Sequence, residues 1–473
     1  MTPYLPPECL QEIFINLVDD IQTLHSIILV NKLWYENGIS ILWRKPFSYD
    51  NDWNNLYKII PIYLYFLSKE TKDELEIHEI SIPIKPSINY ISFIRELDLY
   101  NLLMQLCEWM IDHLEITMGN MDGIVFDYLD SEYFFDIFNE VPSNWFTKIS
   151  KLEYDGQHLL KKFQENAYNI NSLSFGFHTF IPDFIPSISS LISTQNNLVD
   201  LDLYLGYNDS EIIIFEIILT LTTNCVHSLK SLSLASGGNG IVQNVKELEM
   251  LSRCNHLERL QLRNVEFTNY NNNNFLFEFS NLTSLELFDV RMVSQNSEED
   301  LVNLIKQIMK NSKLISLDLE PFIGDKYCNL VESIPHHCSN LTELTLKIND
   351  TYENTMVAIL TILPLFNNLR ILRITEDWGG IQLDGDIYIN QLSLILPNQL
   401  QIFNITGLLF SDEHLNLFLE KCCSNLKQVV LLLKYYDDKH EQIIKSYSLE
   451  RNKVIEDIFV SIDSRSEITI NWK

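Results

Sequence analysis

The chain has 473 residues, with 34 lysines and arginines against 64 aspartates and glutamates, a formal net charge of −30. An acidic excess of that size repels a phosphate backbone and leaves no long basic stripe from which counterions could be released, so nucleic acid is not an expected partner. With 46% hydrophobic residues the chain can bury a large core, yet it is too long for one compact globule, a limit that a repeat array escapes by growing in one dimension.

The opening MTPYLPPECL carries an acid and three prolines where a secretory leader has basic then apolar residues. The most apolar stretches, Ile212 to Leu221 and Met356 to Phe366, are too short for a bilayer, and the first contains Glu216. An intracellular protein, cytoplasmic and/or nuclear and without a membrane partner, is therefore expected. Eight cysteines without a Cys-x-x-Cys pair argue against a disulfide framework and a zinc cluster.

The first 47 residues predict three short amphipathic helices. Pro7 can begin a helix where its missing N–H costs nothing, and Leu10, Ile13, Phe14 and Leu17 then share a face. Leu24, Ile27 and Ile28 form the second apolar group. After a cap at Asn31 the third comprises Trp34, Ile41 and Leu42, and Pro46 stops any further helix. Such a small module is marginal alone and needs a partner or the end of the array. Residues 48–148 form a connecting segment in which IRELDL from Ile94 and LEI at Leu114 fit degenerate repeats.

From residue 149 to 473 one phrase recurs, an apolar residue, two variable ones, a Leu, one variable, a Leu. It reads LVDLDL from Leu198, LKSLSL from Leu229, LERLQL from Leu257, LTSLEL from Leu282, LISLDL from Leu314, LTELTL from Leu341 and LRILRI from Leu369. A spacing of ~25 to 32 residues is that of leucine-rich solenoids or slightly longer. The expected fold is α/β: a leucine-rich repeat horseshoe, with parallel strands on the concave side and helices on the convex side, behind a small all-α module. Cys225, Cys254, Cys338 and Cys423 fall three or four residues before a phrase, where a compact thiol packs at the crowded end of a helix. Ser411 reads as a helix cap, and Ser297 followed by Asp300 opens a helix with Leu301, Leu304, Ile305 and Ile308 on one face.

Along each strand the leucines point inward, and the alternate residues face the concave side. That face carries Lys151, Glu153, Asp155, Asp200, Asp202 and Tyr204, then Arg259, Gln261, Arg263, Glu286, Phe288, Asp318, Glu320, Glu343, Lys347 and Arg373. Glu286, Asp318, Glu320 and Glu343 come from three successive strands and predict one acidic patch, with Arg259 and Arg263 beside it. The bland reading is a solvated charged face; the sharper one is a site for a basic segment of a partner. Asp202, Arg259, Arg263, Glu286, Asp318, Glu320 and Glu343 are the candidate target-binding residues.

The stretch LPPECLQEIFINL followed by TLHSIILVNKLWYENGISILWRKPF resembles the F-box, the adaptor-binding module of Skp1–cullin–F-box ubiquitin ligases. Leu5, Pro6, Glu8, Leu10, Ile13, Leu17, Leu24, Val30, Lys32, Trp34 and Trp43 sit where that pattern wants them, while His25 stands where an apolar residue is commoner. The resemblance covers residues 5 to about 47, and an F-box ahead of cysteine-containing repeats is a familiar combination. It implies that Leu5, Pro6, Leu10, Ile13, Val30 and Trp34 lie near a Skp1-like adaptor, through which cullin and RING subunits would be joined. The repeats would hold an unidentified protein substrate, and catalysis would belong to the other subunits. The alternative is a leucine-rich scaffold unconnected with ubiquitin. No Gly-rich phosphate loop, His-Glu-x-x-His motif or Gly-x-Ser-x-Gly elbow is present, so neither intrinsic catalysis nor a cofactor is expected.

Overall fold

A computed structural model describes residues 5–47, 57–67, 69, 86, 88–113, 156–177, 185–205, 211–236, 241–268, 277–294, 296–319, 326–348, 353–376, 383–421, 425–433, 442–446, 455–461 and 466–472. The chain forms two compact units, Met1–Ile241 and Val242–Lys473.

The first unit opens with α1 (Pro7–Ile15), α2 (Ile21–Ile28) and α3 (Lys32–Leu42). Pro7 occupies the first turn of α1. Asp20 begins α2 by accepting the Thr23 backbone N–H at 3.0 Å and its hydroxyl at 2.7 Å, and these bonds lower its pKa. Asn31 begins α3 through the Trp34 N–H at 3.0 Å. Leu10, Phe14, Leu24, Ile27 and Ile41 meet in the middle, with Leu17, Val18, Leu33, Trp34 and Leu42 packed around them. The contact of α3 with α2 is so close that a Cβ on Gly38 would lie 3.0 Å from Ile28 Cγ2.

The end of α3 is built into the repeats. Trp43 packs 4.3 Å from the Tyr90 ring, and Phe47 lies 5.5 Å from Tyr63, which is wholly buried. The Arg44 carbonyl accepts the N–H groups of Arg95 (2.9 Å) and Glu96 (3.1 Å), and its guanidinium meets Glu96 at 3.1 Å. The same double acceptance then passes down the array. Arg95 receives Asn171 and Ser172, Asn171 receives Val199 and Asp200, and Val199 receives Lys230 and Ser231. Arg44 is thus the first rung. The strands that follow are β1 (Glu96–Asp98), β2 (Ser172–Phe177), β3 (Asp200–Leu205) and β4 (Ser231–Ser236), paired in chain order and parallel. Helices intervene at Leu99–His113, 156–166, Ile185–Ser193 and Glu211–Asn224.

After β5 (Ile241–Asn244), where the units meet in sequence, the second unit contains β6 (Arg259–Thr268), β7 (Ser284–Met292), β8 (Ser316–Leu319), β9 (Glu343–Ile348), β10 (Ile371–Glu376), β11 (Leu383–Asp384), β12 (Ile402–Phe410), β13 (Gln428–Leu433), β14 (Ile455–Ser461) and β15 (Ser466–Trp472). Strands β6 to β10, β12 and β13 run parallel in chain order, β11 joins β12, and β15 then β14 close the sheet antiparallel. A parallel sheet built one strand per repeat, with a helix in most connections, is the leucine-rich repeat solenoid fold. All three apolar positions of the phrase are buried: Leu257, Leu260 and Leu262, for example, and Leu314, Leu317 and Leu319. Each such side chain contributes about 1.5–3 kcal/mol through burial, so the regular phrase stabilises every turn.

One strand escapes the sequence reading. β2 follows no leucine phrase, because Ile170 and Phe175 fill positions that Leu occupies elsewhere. The Ser297–Lys310 helix opens at the expected residue with Leu301, Leu304, Ile305 and Ile308 buried; Asn296 precedes it without a side-chain cap, and the Ser294 hydroxyl bonds Asp300 at 2.7 Å. Asn264 (φ 53°) and Asp289 (φ 47°) occupy equivalent points of β6 and β7, and a matched left-handed kink lets both strands resume pairing at Val265 and Val290. Lys151, Glu153, Asp155, Leu114 and Cys423 lie outside the described residues. Among the described residues no helix is long and apolar enough to cross a membrane.

Candidate partner-binding surfaces

The helical module fills its core and still displays apolar side chains. Leu5 and Ile13 are each 46% exposed, Val30 57% and Leu29 72%, and Pro6 is exposed beside them. Leu10 differs from its expected place near a partner: it is 1% exposed in the centre of the three helices, because it projects from the same side of α1 as Phe14. Trp34 is half-buried, packed on the core with its ring 5.5 Å from that of Phe14. Ile15, Ile21 and Leu29 join the exposed set although sequence reasoning does not single them out. The signal that could have found them is that each is a large apolar residue outside the face shared by Leu10, Phe14 and Leu17.

The strand register orders the sheet-face residues into rows. In the first unit Asp98, Ser174, Asp202 and Ser233 lie side by side, and Asp202 is exposed. Asp98 is held mainly by burial above the usual carboxylate range, although it accepts the Asn101 N–H at 2.9 Å.

In the second unit one row runs Gln261, Glu286, Asp318, Thr345, Arg373 and Asn404. Of the expected acids, Glu286 and Asp318 share this row. Glu343 aligns with Arg259, Ser284 and Ser316, one row away, because its strand starts at that residue, and Glu320 lies outside the described residues. Arg263 aligns with Phe288, whose ring lies 3.7 Å from Lys347 Nζ and 6.0 Å from the Arg263 guanidinium. Asp318 is pushed up to about 6, first by burial and then by Glu286, against the opposing pull of Lys347, Arg373 and Arg263. Arg259 and Arg263 are exposed, and the other charged members are half-buried.

Three groups that resemble chemical sites have structural explanations. Ser411 Oγ lies 2.8 Å and Asp386 Oδ1 3.2 Å from His414, but both address Nδ1, and Asp386 also accepts the Ser411 N–H. A catalytic relay needs the serine and the acid on opposite ring nitrogens; here both lie at Nδ1, beside the start of the Asp412–Lys421 helix. Cys225, Cys254 and Cys338 are buried at helix ends, and burial pushes Cys225 up to about 11 and Cys338 up to about 12, far from a reactive thiolate. His337, beside Cys338, has its pKa lowered by burial and by Lys306, His336 and Lys310. No cluster of three metal-ligating side chains occurs among the described residues.

No protein-family model matches the chain, and no curated protein matches its sequence. Among solved structures it is similar to the complex of Rad7 and Elc1 from yeast, at 17% identity over 73% of this chain and 90% of that one, with a TM-score of 0.40. It is also similar to the leucine-rich repeat protein LegL7 from Legionella pneumophila, at 14% identity over 62% of this chain and 86% of that one, with a TM-score of 0.32. Both scores are low, and the fold assignment stands on the strand register and burial described above.

Proposed function

We propose that the chain is the non-catalytic target-recognition subunit of a Skp1–cullin–RING type ubiquitin ligase. Residues 5–47 grip a Skp1-like adaptor and the outward sheet face holds the protein to be modified. The observation that carries this reading is the surface of the helical module: Leu5, Ile13, Leu29 and Val30 stay exposed although the core beneath them is complete. Large apolar side chains left outside on so small a module support a surface that another protein covers. The F-box resemblance of the same segment says which kind of protein that is.

In this reading the chain makes and breaks no bond. It raises the local concentration of a target near an enzyme held by the other subunits, an effect that depends on tethering and geometry. The test is co-expression with a Skp1-like adaptor followed by affinity purification. Stoichiometric recovery of the adaptor is expected, with loss of recovery in a Leu29→Glu, Val30→Glu double variant that melts at the wild-type temperature. Failure of the wild-type chain to retain any adaptor would leave a repeat scaffold without a link to ubiquitin.

A further inference from the structure

On the helical side of the second unit, the Ser297–Lys310 helix packs against the Lys326–His337 helix. A cleft of about 400 Å³ runs between them, lined by Glu299, Asn303 and Lys306 from the first and by Asn329, Glu332 and His336 from the second. Its charge changes along its length. Glu299 belongs to the first turn of its helix, whereas Lys306, Lys310, His336 and His337 gather where both helices end. Among the described residues none of these four bases forms an ion pair, and the charges that act on His337 are all bases: Lys306, His336 and Lys310. The turn that carries the histidines is also short of a backbone bond. Pro335 lies inside the helix and supplies no N–H, and the end is tied by the Cys338 N–H to the Ile334 carbonyl at 2.8 Å.

We propose that the last turn of the Lys326–His337 helix is an acid-sensitive latch between two neighbouring repeats. With neutral imidazoles it stays packed beside Lys306 and Lys310; with both imidazoles protonated, four like charges push it outward and it opens locally while the rest of the array stays packed. The helix dipole favours a cation at this end, but burial and the neighbouring bases outweigh it, since His337 is harder to protonate than a free imidazole. A folded pKa below the ordinary 6.5 means that the hold is complete above pH 6.5 and is lost as the pH falls through and below that value. Glu332 lies one turn before His336 and opposes the opening by attracting its protonated ring. Glu298, Glu299 and Asp300 open the first helix, and Lys326, Tyr327 and Cys328 open the second, roughly 13 Å or more along its axis from His337. Lys313, just past the first helix, bonds Asn281 at 3.1 Å, and Cys338, pushed up to about 12, stays neutral. On the other side, Asn354 to Ile362 of the next helix carry no charged side chain.

The experiment is hydrogen–deuterium exchange of the full chain at pH 7.5 and pH 5.5, read by mass spectrometry over Ser333 to Leu341. Variants are compared with the wild type at the same pH, so that the intrinsic exchange rate cancels. At pH 5.5 the wild-type segment is expected to exchange about tenfold faster than that of an H336Q/H337Q variant, and the gap is expected to close at pH 7.5. K306Q/K310Q leaves the sequence of the reporting segment untouched and is expected to slow its exchange at pH 5.5 as well. Exchange at pH 5.5 that neither double variant slows, a gap equally wide at pH 7.5, or a loss of protection shared equally by the Glu353–Ile362 helix overturns the latch.

Discussion

The helical module and the repeats treat apolar side chains in opposite ways. In the module, Leu10, Phe14, Leu24, Ile27 and Ile41 are enough to hold three helices together, and the remaining large residues stay outside. In the repeats the apolar residues of each phrase go inward, and the outward positions of the strands are charged, small or polar with few exceptions. One surface leaves large apolar side chains outside a filled core, and the other leaves mainly charged and polar ones; under the proposed function these would be two separate contact surfaces with no shared residues.

The strongest way to break that contrast is to remove the module. Deletion of residues 1–42, keeping Trp43 to Phe47 so that the Arg44 rung survives, is expected to abolish adaptor recovery while circular dichroism still reports a folded array. Within the repeats, Leu317→Ala opens a cavity at a residue 1% exposed and should cost ~2–5 kcal/mol by urea denaturation, whereas Asp318→Ala should change stability far less and act on binding. Equal destabilisation by both would show that the strand faces are reversed. Gly38→Ala should lower the melting temperature of the module slightly, because the new methyl meets Ile28 Cγ2 at 3.0 Å and Ile27 Cγ2 at 3.3 Å, a crowding set against the roughly 1 kcal/mol that Ala gains over Gly inside a helix. A wild-type melt for that variant would argue against the close α2–α3 packing.

The smallest effect concerns pH. Asp318 has a folded pKa of about 6 against an ordinary 3.8, so its contribution favours the folded chain below pH 3.8 and is lost as the pH rises through 6. Asp318→Asn should flatten that part of the stability profile, which a series of melts between pH 4 and 7 would reveal. Persistence of the slope in the variant would assign it to another group.

Much of this architecture is legible in the order of the amino acids. The leucine phrase locates β3, β4 and β6 to β10, and Pro7 and Asn31 locate the starts of α1 and α3, since each signal arises from a local periodicity or a local backbone preference. β2 escapes that pattern because Phe175 replaces a leucine, a substitution that a core tolerates and a letter pattern does not. The position of Leu10 inside the module, and of Glu343 one row away from Asp318, depend on how separate elements meet. The exposed arginines at positions 259 and 263 can be named from sequence, but the row that joins Glu286, Asp318 and Arg373 requires the register.

A single peptide carbonyl, that of Arg44, governs how the first helices are mounted. Because it accepts Arg95 and Glu96 as later turns accept their successors, the N-terminal helices are keyed to the stack like the end piece of a ratchet. A hinge at that joint would have to break two backbone hydrogen bonds and slide Trp43 off Tyr90, so the first helices inherit the orientation of the first strand.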